Sequence, residues 1–334
     1  MRREIRLMTV AVAVAAFLVA FSLPGGSPQS ESRPPEPILQ PLDSLGVAQP
    51  GTAPDASLPP GPPTAPETTV TAPTPTTLPP TPVNQDGSSW TLVFRDEFDG
   101  DELAGQRWVT CYWWDDSGCT NKGNNELEWY QPGNVVIRDG IAHLEARREP
   151  ILASDGETYP YTSGMITTGR DRSDLDSAPR FVFTYGFVEV RARIPEGKGL
   201  WPALWLLAAD HNSRPEIDIV EFLGDTTEIA RFHVHYLDED GERRDPGFDY
   251  VGTGFAGGWH VFAVEWTPDR ITWLVDGIAR WEVTDPAAIS QEDMYFIANL
   301  AVGGDWPGPP GDDTAFPAAF ELDYVRIWQS GSSG

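Results

Sequence analysis

The amino-acid sequence predicts an all-β domain, an antiparallel β-sandwich of the jelly-roll type. Many short segments alternate apolar and polar residues or are apolar throughout, and Gly, Pro, Asn or Asp residues separate them. Such segments are typical of strands joined by turns. No stretch of helical length shows a convincing 3.6-residue period. Many short strands with turn signals between them favour a sandwich or jelly roll over other fold classes.

The predicted strands follow one another along the second part of the chain. In order they are WTLVFRDEF, NVVIRDGIAHLEARRE, YTSGMITTG, FTYGFVEVRARIP, LWPALWLLA, EIDIVEF, ARFHVHYLD, HVFAVEWT, RITWLVDGIARWEV, MYFIANLAVG and FELDYVRIWQ. Two of them contain an Asp-Gly pair between apolar runs, Asp139-Gly140 and Asp276-Gly277. Such pairs favour the two-residue turns of β-hairpins, so we expect a hairpin at each.

Residues 1–24 have the character of an export segment. Basic residues at the start are followed by the almost wholly apolar run from Met8 to Leu23, as in a secretory signal peptide. The run is short for a membrane span, which needs about 20 apolar residues. No clear small-residue cleavage site follows it. A cleaved signal peptide and an uncleaved membrane anchor both stay open, and either predicts an extracellular protein, secreted or tethered to the cell envelope.

The composition changes twice along the chain. Residues 25–87 are rich in Pro, Thr and Ser, as in TAPTPTTLPPTP, and have no hydrophobic period. This composition predicts an extended, disordered linker. Residues 88–330 hold all 13 Trp and are long enough to bury a large core. We therefore expect one folded domain there.

The net charge and the cysteines indicate which binding partners, disulfide and metal sites to expect. The net charge of −27 disfavours nucleic acid and anionic membrane surfaces and suits an extracellular protein that acts on a neutral polymer. Cys111 and Cys119 are the only cysteines, and in an exported protein we expect a disulfide that closes the Tyr112–Gly118 loop. With five scattered His and no further Cys, we expect no zinc site. We also expect no cofactor for catalysis and a monomer.

The stretch PEIDIVEF places three carboxylates in an apolar strand. Glu216 and Asp218 share one face by alternation, whereas Glu221 is out of step. Acids in such a setting cost several kcal/mol unless they are paired or used. One reading is a solvated or ion-paired edge. The other is a β-bulge in which Ile219 and Val220 share one position, so that Glu221 returns to the face of the other two acids.

A bulged strand would place a nucleophile and a general acid on one face. The outer two acids would be four strand steps apart, about 13 Å between Cα atoms. Inward-leaning side chains could close this to the roughly 5–5.5 Å between carboxyls that retaining glycosidases use. Close like charges also push pKa values apart, leaving one carboxyl ionised and one protonated near neutral pH. Upstream, GLWPALW places Trp201 and Trp205 on one strand face, as core residues or as platforms for sugar rings.

These motifs resemble glycoside hydrolase family 16, in its laminarinase-like (endo-β-1,3-glucanase) branch. The likeness rests on FRDEFDG, NKGNNELEWY, YTSGMITTG, YGFVEVRARIPEGKGLWPALW, PEIDIVE, FAVEWTPDRITWLVDG, NLAVGGDWPG and FELDYVRIW, in family order from Trp90 to Gln329. It implies a catalytic domain over residues 88–330, a jelly roll with a cleft on its concave face. It also implies retaining hydrolysis of internal β-glucosidic bonds of laminarin-type or mixed-linkage glucans, and the spacing ExDxxE separates this branch from lichenase-like members with ExDxE.

The resemblance also implies roles for single residues. Glu216 would be the nucleophile and Glu221 the acid/base, and Asp218 would orient Glu216. The implied substrate-binding residues are Asn124, Trp201, Trp205, His235, Asn299 and Trp306. The two Asn could instead be turn or cap residues. His235 could instead be a core histidine, and His233 could take its place because it shares the same strand face.

The resemblance also implies a structural calcium site, and the sequence departs from the family pattern at one position. The implied calcium ligands are backbone oxygens of Glu97 and Gly140 and the carboxylate of Asp323, although Asp323 also fits a surface acid. Met165 stands where many relatives have Arg, which removes one expected polar contact to the sugar.

Two other functions remain open: a transglycosylase that remodels wall polysaccharide, and a non-catalytic β-glucan-binding protein. The presence of both glutamates speaks against the second.

Overall fold

The structure is a computed structural model that describes residues 89–114, 118–210 and 214–330. The predicted signal or anchor segment, residues 1–24, and the predicted linker, residues 25–87, lie outside the described residues. Within the described part, no helix is long and apolar enough to cross a membrane.

Strands are the main regular elements of the described chain. They are β1 (Trp90–Asp96), β2 (Glu128–Tyr130), β3 (Val135–Arg138), β4 (Ile141–Ala146), β5 (Ile151–Leu152), β6 (Thr158–Tyr159), β7 (Tyr161–Ser163), β8 (Met165–Thr167), β9 (Gly186–Arg193), β10 (Leu200–Ala208), β11 (Glu216–Glu221), β12 (Ile229–Leu237), β13 (Arg243–Arg244), β14 (Gly247–Val251), β15 (His260–Trp266), β16 (Ile271–Val275), β17 (Ile278–Val283), β18 (Met294–Val302) and β19 (Ala318–Ser330). Single 3₁₀ turns occupy Lys122–Asn124, Pro132–Asn134 and Phe255–Gly257. The predicted strand segments are confirmed.

Two antiparallel sheets form the sandwich. The first has the strand order β17-β16-β15-β9-β19-β4-β3, with β1 also paired to β19. The second has the order β13-β12-β11-β10-β18-β8, with β14 also paired to β12. Outside these sheets, β5 pairs with β6, and β2 pairs with β7 in parallel. The predicted antiparallel sandwich is confirmed.

The core lies between the sheets because alternate residues of each strand point inward. From the second sheet, Leu204 and Leu206 of β10 and Ile217 of β11 are fully buried. They join Val188 and Val190 of β9 in one apolar cluster. The residues that alternate with these in the second sheet, such as Trp205 and Asp218, therefore face away from the core. This alternation creates a polar and aromatic outer face on an otherwise apolar sheet.

Both Asp-Gly pairs turn hairpins, as predicted. Asp139 and Gly140 have φ of 54° and 73° and join β3 to β4. Asp276 and Gly277 have φ of 51° and 74° and join β16 to β17. Two successive positive φ values define the type I′ turn, which matches the twist of the strands on either side.

Candidate active site

Strand β11 carries the predicted bulge. Against β12, Asp218 pairs with His233 and Glu221 with Arg231, so Ile219 and Val220 together face a single partner position. The same shift appears against β10, where Asp218 pairs with Trp205 and Glu221 with Ala203. The bulge therefore returns Glu221 to the face of Glu216 and Asp218. Their β10 partners, Ala203 for Glu221 and Leu207 for Glu216, are four positions apart, about 13 Å at ~3.3 Å per residue.

The opposite sheet also contacts the bulge. The carbonyl oxygen of Asp218 accepts a hydrogen bond from Nε1 of Trp273 at 2.8 Å. Trp273 lies on β16 of the first sheet and is completely buried. A bulge disrupts the hydrogen-bond ladder locally, and a buried carbonyl without a partner is costly. The indole satisfies this carbonyl from across the core.

A cleft of about 500 Å³ lies over the outer face of the second sheet. It brings together all the residues for which the sequence predicted a catalytic or sugar-binding role. They are Glu216, Asp218 and Glu221 with Asn124, Trp201, Trp205, His235, Asn299 and Trp306. His233, Tyr112 and Trp114 also line the cleft. The placement agrees with the predicted cleft, while the roles of the residues stay predictions.

Two side chains hold the carboxyl group of Glu221. Nε1 of Trp201 donates to its Oε1 at 3.0 Å, and Nδ1 of His233 lies 2.7 Å from its Oε2. The sequence predicted that His235 binds substrate, with His233 as the alternative; both line the cleft, and His233 is the one that contacts Glu221. The register explains the difference, because His235 lies opposite Glu216 and His233 opposite Asp218, beside the bulge that carries Glu221.

His235 connects the other two acids to a residue that the sequence did not single out. Its Nε2 lies 3.0 Å from Oδ2 of Asp218 and 3.8 Å from Oε1 of Glu216. Its Nδ1 lies 2.5 Å from Oδ1 of Asp245. Arg243 in turn donates to Oδ2 of Asp245 at 2.5 Å. Asp245 follows the short strand β13 in an irregular loop, where no periodic pattern marks it.

The acids influence one another's protonation. Burial raises the pKa of Glu216 well above its usual value, and the charge of Asp218 raises it further. Burial also raises the pKa of Asp218, to which the charge of Glu221 adds. The side chain of Asp218 is 5% exposed and that of Glu216 is 24% exposed. Because desolvation penalises the charged form most where water is excluded most, Asp218 is the better place for a shared proton and Glu216 for the negative charge.

Trp205 and Asn299 hold each other on the floor of the cleft. Nε1 of Trp205 donates to Oδ1 of Asn299 at 2.8 Å, and Nδ2 of Asn299 donates to the hydroxyl of Tyr130 at 3.0 Å. Trp205 is only 9% exposed, whereas Trp306 is 41% exposed. Trp306 meets Trp201 edge to face, with 5.3 Å between ring centroids. Trp306 thus offers far more surface to a ligand than Trp205.

A second pair of acids lies beneath Asn124. Nδ2 of Asn124 donates to Oε1 of Glu126 at 3.0 Å, and Oε2 of Glu128 accepts from the backbone N–H of Val302 at 2.8 Å. Their other oxygens are buried without a hydrogen-bond donor. Burial raises the pKa of both carboxyls. One proton held between the two glutamates would satisfy both oxygens, and the alternation of ELEWY was the sequence signal for it.

Met165 takes an apolar place behind the cleft. It is completely buried and packs in one cluster with Tyr112, Tyr130 and Trp205. Its neighbour on β18 is Asn299. The position therefore supports the floor of the cleft from below and makes no polar contact there.

The predicted disulfide is present beside this cluster. Cys111 and Cys119 are bonded, with 4.8 Å between their Cα atoms. The carbonyl of Cys119 accepts a hydrogen bond from the backbone of Tyr130 at 2.7 Å, which ties the loop to β2. Tyr112 is buried against Trp205, with 6.1 Å between ring centroids, and Trp114 covers Tyr112 at 4.8 Å.

The residues of the predicted calcium site have other partners. Nη1 of Arg191 lies 2.6 Å from Oδ2 of Asp323, and Arg326 binds both carboxylate oxygens of Glu97 at 2.8 and 2.7 Å. The donors that remain for calcium are one carboxylate oxygen and two backbone carbonyls. These are the hard oxygens that calcium prefers, so the donor set fits, but Arg191 already supplies a positive charge beside Asp323.

Among the described residues, one further group could hold a metal ion. Asp218, His233 and His235 bring possible ligand atoms within 4.8 Å of one another. The same atoms already hydrogen-bond to acids of the cleft. In this structure the two histidines are hydrogen-bond partners of the acids.

Comparison with known proteins gives a consistent result. Residues 124–326 match the family described as "Glycosyl hydrolases family 16". A beta-glucanase from Rhodothermus marinus is 35% identical over 264 residues, which cover 72% of this chain and 85% of that protein. The endo-1,3-1,4-beta-glycanase EglC from Rhizobium meliloti is 33% identical over 259 residues, 73% of this chain. The match spans only about half, 52%, of the Rhizobium protein.

Solved structures agree with the sequence comparison. The X-ray structure of an endo-beta-1,3-glucanase from Pyrococcus furiosus is 34% identical, with a TM-score of 0.62. The similarity covers 75% of this chain and all of that one. The family segment, residues 124–326, contains the three acids of β11 and both histidines of β12. Tyr112 and Trp114 precede it.

Proposed function

Because the chain belongs to glycosyl hydrolases family 16, in its laminarinase-like branch, we propose that it is a retaining endo-β-1,3-glucanase. The proposed substrates are laminarin-type glucans, with mixed-linkage glucans included. One observation carries the proposal: the bulge aligns Glu216, Asp218 and Glu221 on the cleft face of β11. The names of the similar glucanases from Rhodothermus and Pyrococcus, and of the endo-1,3-1,4-beta-glycanase from Rhizobium, support the substrate class.

The proposed reaction has two steps. In the first, a carboxylate oxygen of Glu216 forms a bond to the anomeric carbon while the glycosidic C–O bond breaks. The departing oxygen takes the proton of Glu221. Trp201 and His233 hold the carboxyl group of Glu221 in place. In the second, a water molecule gives its proton to Glu221 and attacks the anomeric carbon, which releases Glu216 as a carboxylate. Two inversions retain the configuration at this carbon.

The surrounding charges suit these roles. Glu216 must be ionised to attack, and placing the shared proton on the more deeply buried Asp218 keeps it so. His235, between Asp245 and Asp218, adds a hydrogen bond on the far side of Asp218. The exposed ring of Trp306 offers a sugar platform in the cleft, which suits binding of a glucan chain.

Product analysis tests the proposal. Purified protein is incubated with laminarin, mixed-linkage glucan and agarose, and products are followed over time for wild type and Glu216→Gln. We expect internal cleavage of the glucans, and a loss of roughly a thousandfold or more in kcat in the variant with glucan binding retained. Glu228→Gln, an exposed glutamate outside the cleft, is the matched control. Unchanged activity of Glu216→Gln would overturn the assignment.

The same incubations separate the alternatives. Proton NMR of the first product from laminarin should show the β-anomer, and an initial α-anomer would exclude double displacement. Products longer than the substrate would identify a transglycosylase, in which a sugar replaces water in the second step. Binding of laminarin by wild-type protein without any cleavage would identify a binding protein.

The proposal also includes export of the chain from the cell and a structural calcium ion. We propose that residues 1–24 direct the chain out of the cell, where a neutral glucan would be met, and that residues 25–87 serve as a spacer. Support comes from the basic and apolar start of the sequence and from the disulfide, which suits an oxidising compartment. Glu97, Gly140 and Asp323 would hold a structural calcium, which would add stability and take no part in the reaction.

A further inference from the structure

The aromatic residues after Cys111 face in different directions. Trp114 lines the cleft, next to the buried ring of Tyr112. Trp113 instead lies under Arg170, whose guanidinium carbon is 5.5 Å from the centre of its ring. Only one of the two neighbouring indoles is therefore presented to the cleft.

The position of Trp114 places it away from the reacting bond. Tyr112, on which Trp114 rests, contacts Trp205 and Tyr130, and Tyr130 binds Asn299 of β18. Strand β18 is two strands from β11, about 10 Å at ~4.8 Å per strand. Trp114 thus lies on the side of the cleft opposite to β12. A polysaccharide bound across the catalytic acids would reach it only with a sugar beyond the reacting unit.

The chemistry of this position suits a sugar ring. The indole nitrogen of Trp114 is buried, so the ring carbons and not the N–H group face the cleft. One side of the ring is already supported, since Tyr112 lies 4.8 Å away at an angle of 34°. A flat apolar surface stacks on the C–H face of a neutral pyranose without selecting its hydroxyl groups. Rows of aromatic surface next to polar groups are typical of binding sites for amphipathic ligands.

The disulfide fixes this surface. Trp114 lies within the loop that Cys111–Cys119 closes, and the carbonyl of Cys119 is bound by the backbone of Tyr130. Short loops lose conformational entropy when they are ordered, and a crosslink removes part of that cost in advance. A preorganised platform binds more tightly than one that must be ordered by the ligand.

We propose that Trp114 forms an outer glucosyl subsite of the cleft and that the Cys111–Cys119 disulfide holds it in a binding-competent position. The subsite would bind a neutral β-linked hexopyranose ring by stacking, at a distance from the cleaved bond. This inference rests on the proposed glucanase function. It adds that long chains are bound through a contact that short oligosaccharides do not reach.

A ladder of β-1,3-linked gluco-oligosaccharides, from short to long, tests the subsite. The readout is the ratio of kcat/KM for the longest to that for the shortest substrate. For Trp114→Ala we expect this ratio to fall about tenfold, which corresponds to about 1.4 kcal/mol of lost binding. Trp114→Phe, which keeps an aromatic ring, should retain most of the ratio. An unchanged ratio in Trp114→Ala would overturn the proposal.

The neighbouring tryptophan is the matched control. Trp113→Ala changes the same loop without removing a ring from the cleft, so its ratio should equal that of wild type. An equal fall in Trp113→Ala and Trp114→Ala would mean that the loop collapses, and would also overturn the subsite. For the disulfide, Cys111→Ser with Cys119→Ser should lower the ratio, and adding Trp114→Ala to it should lower the ratio little further. A wild-type ratio in the double-Ser variant would refute the role of the disulfide.

Binding measurements distinguish this inference from the proposed function. If wild type cleaves no oligosaccharide of the ladder, the glucanase proposal fails, and the subsite is then tested by calorimetric titration with the same ladder. Tighter binding of long oligosaccharides in wild type, lost in Trp114→Ala, would retain the subsite. No binding of any oligosaccharide would end both.

Discussion

Nδ1 of His233 lies 2.7 Å from Oε2 of Glu221. Burial disfavours the charged imidazole, but the hydrogen bond and the charge of Glu221 outweigh it, and the pKa of His233 is raised. His233 is therefore charged to a higher pH than a free histidine. Up to that higher pH, the positive charge of His233 lies in contact with the proposed acid/base.

Removing this cation should change the pH profile. Because wild-type His233 loses its charge as the pH rises through its raised pKa, the inflection that this loss causes in the kcat/KM profile should be absent from His233→Asn. The lost contact should also lower kcat, by roughly tenfold. Steady-state rates on laminarin across the pH range give both values. His260→Asn, which removes a histidine paired with Asp276 outside the cleft, is the control. The same inflection in His233→Asn would contradict the electrostatic role of His233.

Asp245 should affect the acidic limb of the kcat/KM profile. Burial alone would raise its pKa, but hydrogen bonds from Arg243 and His235 lower it, so it is an anion against Nδ1 of His235. Asp245 thus fixes the ring of His235, whose positive charge opposes the raised pKa of Glu216. Replacing it in Asp245→Asn should move the acidic limb of kcat/KM to higher pH.

A purely structural role for Asp245 would give a different result. Asp245→Asn would then lower activity equally at all pH values and leave both limbs in place. Asp249→Asn, which changes an exposed acid on the neighbouring strand β14, controls for general effects of lost charge. Chemical shifts of the His235 ring nitrogens, measured by NMR, should report the change directly.

The Glu126–Glu128 pair should limit stability at neutral pH. Burial raises the pKa of both acids in the folded state, so the folded protein binds more protons than the unfolded chain above about pH 4. Stability contributed by this pair therefore falls as the pH rises from that value through the raised pKa. Glu128→Gln removes one titrating group, keeps an acceptor for Val302, and gives Glu126 a donor.

The expected gain depends on pH. Glu128→Gln should raise the free energy of unfolding at pH 7 by about 1–2 kcal/mol and change it little at pH 3, where wild type is protonated. Denaturant unfolding at both pH values measures this. Glu282→Gln, an exposed glutamate on β17, should give no such pH-dependent gain. A gain of equal size at both pH values would contradict the shared proton.

Calcium binding should raise the melting temperature of the protein. If Asp323 binds it, EDTA should lower the melting temperature by about 4–8 °C, the shift that roughly 2 kcal/mol produces in a domain of this size. Asp323→Ala should remove most of this sensitivity, and Asp312→Ala, an exposed acid, should not. A melting temperature that EDTA leaves unchanged would mean that Arg191 alone balances the charge of Asp323.

The sequence predicted those parts of the site that follow from strand alternation. It placed Glu221 out of step and so predicted the bulge, and it placed Trp201 and Trp205 on one face. Alternation alone gave His233 and His235 the same face. Which of them reaches Glu221 depends on the register between β11 and β12, which is a long-range property.

Other features of the site needed the three-dimensional structure for different reasons. Asp245 lies in a loop without periodicity, and its contact with His235 joins separate elements. The Glu126–Glu128 pair had a local signal, since ELEWY repeats the acid-apolar alternation of EIDIVE, but only burial shows that the two carboxyls share a site. Likewise, WW after Cys111 did not reveal which indole enters the cleft.

The bulge of β11 has a consequence for how this strand can change length in evolution. Loss of Val220 alone would leave acids at alternate positions on one face, so the catalytic arrangement would survive a one-residue deletion there. A deletion between Glu216 and Asp218 would instead turn one acid into the core. A strand without the bulge would, however, pair the Asp218 carbonyl with its neighbour and leave the buried N–H of Trp273 without an acceptor. Shortening is thus tolerated only within the bulge, at Ile219 or Val220, and we expect it to go together with a residue other than Trp at position 273.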